Sequence, residues 1–349
     1  MAGHATLQTI ADAVGVSRAT VSNAYNHPER LGDELRERVL AAARELGYPG
    51  PDPAARRLRQ QRAGAVGLLF TEALSYAFTD AAAVAFLEGL ARRCEERQAP
   101  LLLLPLSAAG KAARAAVGDA VVDALCIYSL PDDHPAVTAA LERRLPLVVV
   151  DEPRCEGATY VGIDDRLATR RLGERLVELG HRRLAVVVPS LIPDRREGLV
   201  SPDRLEQAAY HVDRERLAGF REALGVELDH VPIYECANRQ EAGGRAARAL
   251  LGREPRPTAL LCTTDELALG ALRGARGLGL EVPGDVSVTG FDDVPGAAAA
   301  GLTTVHQPLA EKGAVAGDLL LELLDEGDGR EAILPAEPVM RGSTGPPPA

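Results

Sequence analysis

Tryptophan is absent from the 349-residue sequence and lysine occurs only at Lys111 and Lys312, so almost all of its 39 basic residues are arginine. With so much Ala, Gly and Pro, that bias reflects a GC-rich coding sequence and carries no mechanism. No run approaches the ~18 apolar residues that a membrane helix needs, which excludes a spanning segment. Met1 to Ser17 lacks a basic cluster followed by an apolar stretch and a small-residue cleavage site, so a cytoplasmic location is expected. The five cysteines (Cys94, Cys126, Cys155, Cys236, Cys262) are odd in number, dispersed and never paired as C-x-x-C. That excludes a disulfide framework and a zinc module and leaves buried free thiols. G-x-S-x-G, H-E-x-x-H, P-loop and G-x-G-x-x-G motifs are absent as well, and the seven histidines are scattered. No catalytic role, cofactor or metal is therefore expected.

What is present is a soluble composition, 46% hydrophobic and 26% charged, in a chain long enough for two or three domains of about 100–200 residues. A net charge of -11 argues against nucleic acid as a partner until its distribution is considered. Residues 1–62 hold nine arginines and seven carboxylates, whereas the remainder is strongly acidic. An acidic body repels phosphate, so any contact with nucleic acid is confined to the weakly basic head.

The head reads as three short helices. Leu7, Ile10, Ala11 and Val14 recur at helical spacing behind a capping Thr6, and Gly15 stands where a left-handed residue ends a helix. Ser17 caps a second helix with Val21 inward. A third runs from Asp33 to Leu46 with Leu35, Val39, Ala42 and Leu46 inward, closed by Gly47. Only a Gly-Val-Ser turn separates the first two, the spacing of a helix-turn-helix. Pro49 to Pro53 breaks the chain, and Ala54 to Arg62 carries four arginines and one large apolar residue, Leu58. That segment is too short and polar to form a helix unaided.

From Ala63 onward, short apolar runs alternate with amphipathic stretches. Ala65–Phe70, Leu101–Leu104, Ala124–Tyr128, Leu147–Val150, Arg183–Val188, Ala259–Cys262 and Val286–Gly290 read as buried parallel strands. Ala81–Gln98, Leu167–Leu179, Leu205–Leu224, Glu241–Leu251 and Glu266–Leu278 read as helices. This βαβ rhythm predicts an α/β body of doubly wound parallel sheets, with about ten strands, enough for two. Pro189 to Gln207 reads as an irregular inserted loop.

The run Thr9 to Asn23 (TIADAVGVSRATVSN) is followed by Asn26, Arg36-Glu37-Arg38-Val39, Leu46-Gly47-Tyr48 and Ala54-Ala55-Arg56-Arg57-Leu58. Further on come Leu179 to Arg183 (LGHRR), Arg216 to Phe220 (RLAGF), Asp265 to Gly270 (DELALG), Gly290 to Asp293 (GFDD) and Leu302 to Pro308 (LTTVHQP). In order and spacing these blocks resemble the LacI/GalR (lactose-repressor/galactose-repressor) transcription regulators over nearly the whole chain. The resemblance implies a helix-turn-helix DNA-binding domain over 1–50 and a hinge helix or linker over 51–62. It implies a periplasmic-binding-protein-like, two-lobed ligand-binding and dimerisation body over 63–341, then a tail over 342–349. The first lobe would span 63–161 and 291–323, the second 162–290 and 324–341.

The helix opening at Ser17 would enter the DNA major groove with its positive dipole end forward. Arg18, Ala19 and Asn23 are the base-reading candidates: Arg18 suits guanine, Asn23 suits adenine and Ala19 offers a methyl contact. By resemblance, Thr6, Ser17, Thr20, Ser22, Asn26, His27 and Tyr48 hold the phosphate backbone. Gly32 and Leu35 replace the Ser and Thr usual in the family, so two such contacts are expected to be missing. Ala55, Arg56 and Leu58 match the minor-groove hinge, where two segments of a dimer fold together and wedge their leucines between base pairs. A homodimer is expected because two recognition helices must meet half-sites about 34 Å apart.

In the body, Arg216 and Asp292 match positions that grip a sugar or nucleobase, and Asp151 and Asp265 end strands beside them. The alternative for Asp265 and Asp292 is to cap or brace the helices that follow them. Tyr76 and Phe78 stand where the family often places aromatic residues that cover a ring face. Thr264 replaces the family's usual Asn. The 189–207 insertion is a candidate lid, and His181 and His306 are expected to be structural. The implied function is a repressor that binds a palindromic double-stranded operator as a dimer under control of a small-molecule effector, sugar-like or nucleobase-like, with no membrane partner. The alternatives are a solute-binding protein of a transport system, whose body fold would be the same, and a regulator that answers only to a protein partner.

Overall fold

The computed structural model describes residues 5–50, 63–70, 77–106, 111–225 and 230–348. The hinge candidates Ala55, Arg56 and Leu58 and the aromatic candidate Tyr76 lie outside the described residues. The chain divides into two units, Met1–Gly64 and Ala65–Ala349.

The head consists of α1 (Leu7–Val14), α2 (Arg18–Asn26) and α3 (Asp33–Glu45), with one short 3-10 turn between the last two. Thr6 Oγ1 accepts the Thr9 N–H while Thr9 Oγ1 accepts the Thr6 N–H, so two of the orphan donors at the start of α1 are satisfied. Gly15, at φ +75°, turns the chain out of α1. Ser17 Oγ accepts the Thr20 N–H at 3.0 Å and starts α2. Gly32 opens α3 without a side-chain cap, leaving Asp33 and Glu34 to complement the helix dipole. Ile10, Ala11, Val21, Ala24, Val39 and Ala43 form the core. Leu46 is 44% exposed, contrary to its reading as inward. It is already the C-cap of α3, and Ala43 takes the buried position.

In the body, β1 (Val66–Phe70), β2 (Leu101–Pro105), β3 (Ala124–Tyr128), β4 (Leu147–Val150), β5 (Thr159–Ile163) and β12 (Glu331–Leu334) form a parallel sheet in the order β12-β5-β4-β3-β1-β2. The second sheet joins β6 (Leu184–Pro189), β7 (Gly198–Leu199), β8 (Ile233–Cys236), β9 (Ala259–Cys262) and β10 (Ser287–Thr289) in the order β10-β9-β6-β8-β7, with β7 alone antiparallel. β11 (Thr304–His306) and β13 (Glu337–Val339) pair separately. The central strands β4 (LVVV) and β6 (LAVVVP) of the two larger sheets are unbroken apolar runs, the pattern of a parallel sheet covered by helices on both faces. Helices 81–96 and 309–324 cover the first sheet through Phe86, Leu90, Ala316 and Leu320. They approach so closely that a side chain on Gly89 would collide with the Ala310 carbonyl, and one on Gly313 with that of Phe86.

Several boundaries differ from the sequence reading. β5 and β8 were not anticipated, since Gly162 and Glu235 interrupt their apolar runs, and the single C-terminal strand expected around Ile333–Val339 is two, β12, a half-exposed edge, and β13. β12 lies in the first sheet, whereas residues 324–341 were expected in the second lobe. Conversely Phe291 and Val305, expected in the first lobe, pack in the second with Leu172 and Phe220. The chain therefore passes between lobes near residues 163–165, 306–309 and 334–337. The 189–207 insertion contributes β7 and the short helix Pro202–Glu206, and the long helix begins only at His211. The tail is integral to the second lobe: Ser343 is buried against Val288 and Thr303, and the Gly345 carbonyl accepts from Ser287.

Candidate DNA-contact surface and ligand cleft

On the head, Ser17, Arg18 and Ala19 are exposed at the start of α2 and Asn23 follows one turn later, half-buried. The four phosphate candidates along α2 are already ordered by local bonds. Ser17 Oγ and Thr20 Oγ1 are 2.8 Å apart, and Asn26 Nδ2 donates to the Ser22 carbonyl and to Ser22 Oγ. Such bonds fix the rotamers that a phosphate contact needs without occupying every lone pair. His27 is exposed beside Glu29, Thr6 is exposed at its cap, and Tyr48 packs edge-on against Tyr25 at 6.0 Å.

In the body, Arg216 is 7% exposed. Its Nε donates to Asp165 Oδ1 at 2.8 Å, its Nη1 donates to the Thr263 carbonyl at 2.6 Å, and its guanidinium stacks 3.7 Å from the Phe291 ring centroid. Asp292 Oδ1 lies 4.0 Å from Nη1 and accepts from Gln307 Nε2 at 2.6 Å. Gln307 Oε1 accepts from Lys312 Nζ at 2.6 Å, and Lys312 donates to Asp151 Oδ1 at the same distance. A continuous polar chain thus runs from Asp151 in the first lobe through Lys312, Gln307, Asp292 and Arg216 to Asp165 in the second. Asp151 and Asp292 both have positive φ, +62° and +117°, conformations costly for a side-chain-bearing residue and held by the surrounding bonds.

Asp265 departs from its expected place among ligand contacts. It is fully buried, with Oδ1 taken by the Thr304 hydroxyl at 2.6 Å and Oδ2 by the Val294 N–H at 2.9 Å. A side chain on Gly290 would collide with this carboxylate, so a glycine is required there. Asp265 therefore braces the segment that carries Asp292, the alternative its sequence allowed. Thr264 caps the following helix and donates to Asn238 Oδ1 at 2.7 Å. Phe78 is 61% exposed.

The lobes also touch on both sides of this chain. Asn238 reaches Asp80 at 3.5 Å, beside a polar recess of about 210 Å³ that Gln240 and Glu266 help to line. On the other side Arg214 pairs with Asp132, and the Val212 N–H donates to Glu152 Oε2 at 3.0 Å. Burial pushes the Glu152 carboxyl up to about 8 and that of Asp213 up to about 7. Burial also holds Asp165 and Asp292 above the ordinary carboxylate range, against the pull of Arg216. The insertion is fastened to the second sheet: β7 pairs with β8, and Arg204 binds both Glu235 and Asp194. His181 is hydrogen-bonded to Thr258, Ser287 and the Gly345 carbonyl, and burial lowers its pKa from the ordinary histidine value.

Sequence reasoning missed Lys312, Gln307, Glu152, Asp165 and Asp213. Lys312 had a signal: it is one of two lysines and interrupts the apolar stripe Leu309, Ala316, Leu320. Asp213 stands one helical turn before Arg216, on the same face. Glu152 carried no signal, because only the meeting of two lobes buries it.

Residues 6–50 match the bacterial regulatory proteins of the lacI family, and residues 174–344 match the periplasmic binding protein-like domain. The HTH-type transcriptional regulator Rv3575c of Mycobacterium tuberculosis is 47% identical, over 99% of this chain and 98% of its own. The crystal structure of the lac repressor dimer bound to operator and an anti-inducer is similar with a TM-score of 0.77 and 25% identity, covering 98% of this chain and all of the other. A complex of the transcriptional regulator CelR with cellobiose gives 0.68 at 28% identity, covering 97% of this chain and all of the other. No helix among the described residues is long and apolar enough to cross a membrane. The match across head and body together removes the solute-binding alternative. The chain belongs to the LacI family of bacterial transcriptional regulators.

Proposed function

We propose that the protein is a non-catalytic cytoplasmic repressor that binds a palindromic DNA operator as a homodimer and changes its grip when a small molecule occupies the cleft between the lobes. The observation that carries this reading is the polar chain from Asp151 to Asp165, which ties the two lobes through paired but ligand-capable side chains. A ligand that bonds more strongly to one arrangement of the lobes shifts the population toward it, and operator affinity changes by the same linkage. Arg18, Ala19 and Asn23 read base edges. Thr6, Ser17, Thr20, Ser22, Asn26, His27 and Tyr48 hold phosphates, and Ala55, Arg56 and Leu58 enter the minor groove. Arg216, Asp292 and Asp151 face the effector, with Phe78 at its rim. A relative solved on operator as a dimer and another solved with cellobiose support both halves of the reading.

The test is selection of bound sequences from random duplex DNA, followed by titration of the selected site with sugars and nucleobases. A palindromic site whose affinity changes with one of them is expected. Leu58→Ala should weaken that site about tenfold or more while leaving effector binding intact; unchanged operator affinity would remove the wedge.

A further inference from the structure

The helix His211–Leu224, which carries Arg216, begins at Tyr210, and Tyr210 supplies no side-chain cap. The first N–H groups of a helix have no partner within it, and its positive dipole end favours a carboxylate. Here the carboxylate comes from the other lobe. Glu152, buried in the turn after β4, accepts the Val212 N–H on Oε2 at 3.0 Å, while the Ser129 hydroxyl, just past β3, donates to Oε1 at 2.8 Å. A second bond crosses close by in the opposite direction: the Asp132 N–H of the first lobe donates to the Ala209 carbonyl of the second at 3.1 Å. Arg214 spans the same junction, donating to Asp132 Oδ2 at 2.5 Å and to the Ala208 carbonyl at 2.9 Å.

Ala208 and Ala209 directly follow the 189–207 insertion and are fastened through it to the second sheet. The Ala209 N–H donates to the Leu191 carbonyl at 2.8 Å, the Leu191 N–H donates to Glu235 Oε2 at 3.3 Å, and Arg204 holds both Glu235 and Asp194. We infer that Glu152 is an interlobe latch, capping the helix that carries Arg216 only while the lobes are together, and that the insertion is a strap holding the second half of that latch rather than a lid over the cleft. Separating the lobes takes the acceptor from Val212 on one side and from Asp132 on the other, so the start of the helix and the lobe junction open cooperatively. The strap thereby sets the resting balance of lobe arrangements on which any effector acts. It governs how the lobes hold together, not what the cleft receives, so the latch and the effector reading fail independently.

Amide hydrogen exchange of the full-length protein, resolved to single residues, tests both halves, because Val212 and Asp132 are each bonded to the opposite lobe. Glu152→Ala should speed exchange at Val212 and Asp132 together by about fivefold, the equilibrium equivalent of a lost cap, and leave Phe220 inside the helix as in wild type. Glu152→Asp, whose carboxyl stops one methylene short, gives the same readout where alanine disturbs folding. Glu152→Gln, whose amide can accept from Val212 and donate to Ser129, should exchange as wild type. Acceleration at Val212 alone makes Glu152 a cap without a latch and overturns the inference, as do wild-type rates at both positions or a Glu152→Gln protein that exchanges like Glu152→Ala. Asp194→Ala removes the outer partner of Arg204 and spares its bond to Glu235; it should speed Ala209 and Asp132 together. An Asp132 rate unchanged in that variant overturns the strap.

Discussion

The head and the body solve opposite electrostatic problems with the same few residue types. The head exposes its charge and hydroxyls: Arg18 and Ser17 face water, and the buried residues beneath them, Ile10, Ala11, Val21, Ala24, Val39 and Ala43, are apolar. The body buries its charge: Arg216, Lys312, Asp165 and Asp292 are withdrawn from solvent and must find one another. A surface that meets phosphate along an extended duplex needs donors in register, and its strength comes from the partner. A cleft that meets a small molecule needs its groups preorganised before the ligand arrives, so their mutual bonds are part of the fold. The same substitution should therefore have different consequences in the two units.

The largest effect is expected at Arg216. Arg216→Ala leaves Asp165 without its partner and Asp292 without its nearest cation, and breaking one side of a buried pair costs about 3–5 kcal/mol. Denaturant unfolding followed through the body should shift by that amount, while amide exchange in α1 to α3 stays as in wild type. A head destabilised to the same degree would erase the distinction. Arg18→Ala should be silent in both unfolding measurements. Its loss should instead relax discrimination at one base pair of the operator by about 1–3 kcal/mol, read by comparing affinities for the four base substitutions there.

Proton linkage separates the units next. Glu152 and Asp213 keep their protons near neutrality in the folded body, about 8 and about 7, whereas the unfolded chain releases them near pH 4. Because the native state then binds more protons than the unfolded one, stability falls as pH rises through that interval. Burial lowers His134 and His181, which act in the opposite sense only below about pH 6.5. The clean window is pH 6.5 to 8.5, where the unfolding midpoint of the body should decline; a midpoint that does not change would mean that these carboxyls are ionised throughout.

How much of this was legible differs between the units for a physical reason. The head is local: Thr6, Gly15, Ser17 and the apolar spacing of Leu7, Ile10 and Val14 each determine structure within one turn, so the helices could be read directly. Leu46 was misplaced because a helix end decides its exposure, and ends are the least determined part of a periodic pattern. The body's central strands were equally legible as apolar runs. Its site was not, since Asp151, Asp165, Arg216, Asp292 and Lys312 converge from five distant segments, and neither burial nor pairing is encoded near any of them. Asp265 and Asp292 illustrate the limit. Each stands three residues beyond a strand of the second sheet, yet one has both oxygens bound within its own lobe and the other holds the chain that links the lobes.

The smallest predicted effect tests whether the head's exposed groups are as separable from its fold as the contrast implies. Thr6 has two roles, one as half of the capping box with Thr9 and one as a candidate phosphate contact. Thr6→Ala removes the acceptor for the Thr9 N–H and should cost about 1 kcal/mol of head stability. Thr6→Ser keeps the hydroxyl, so the cap and the phosphate contact should both survive with stability within about 0.5 kcal/mol of wild type. Operator affinity measured well below the melting temperature then distinguishes the roles, because capping acts on the folded fraction and phosphate contact acts on the salt dependence. A phosphate donor lost in Thr6→Ala weakens binding to specific and random duplexes alike. If Thr6→Ala lowers head stability but leaves both affinities unchanged once the protein is fully folded, Thr6 is a cap alone, and the backbone contacts of the head begin at Ser17.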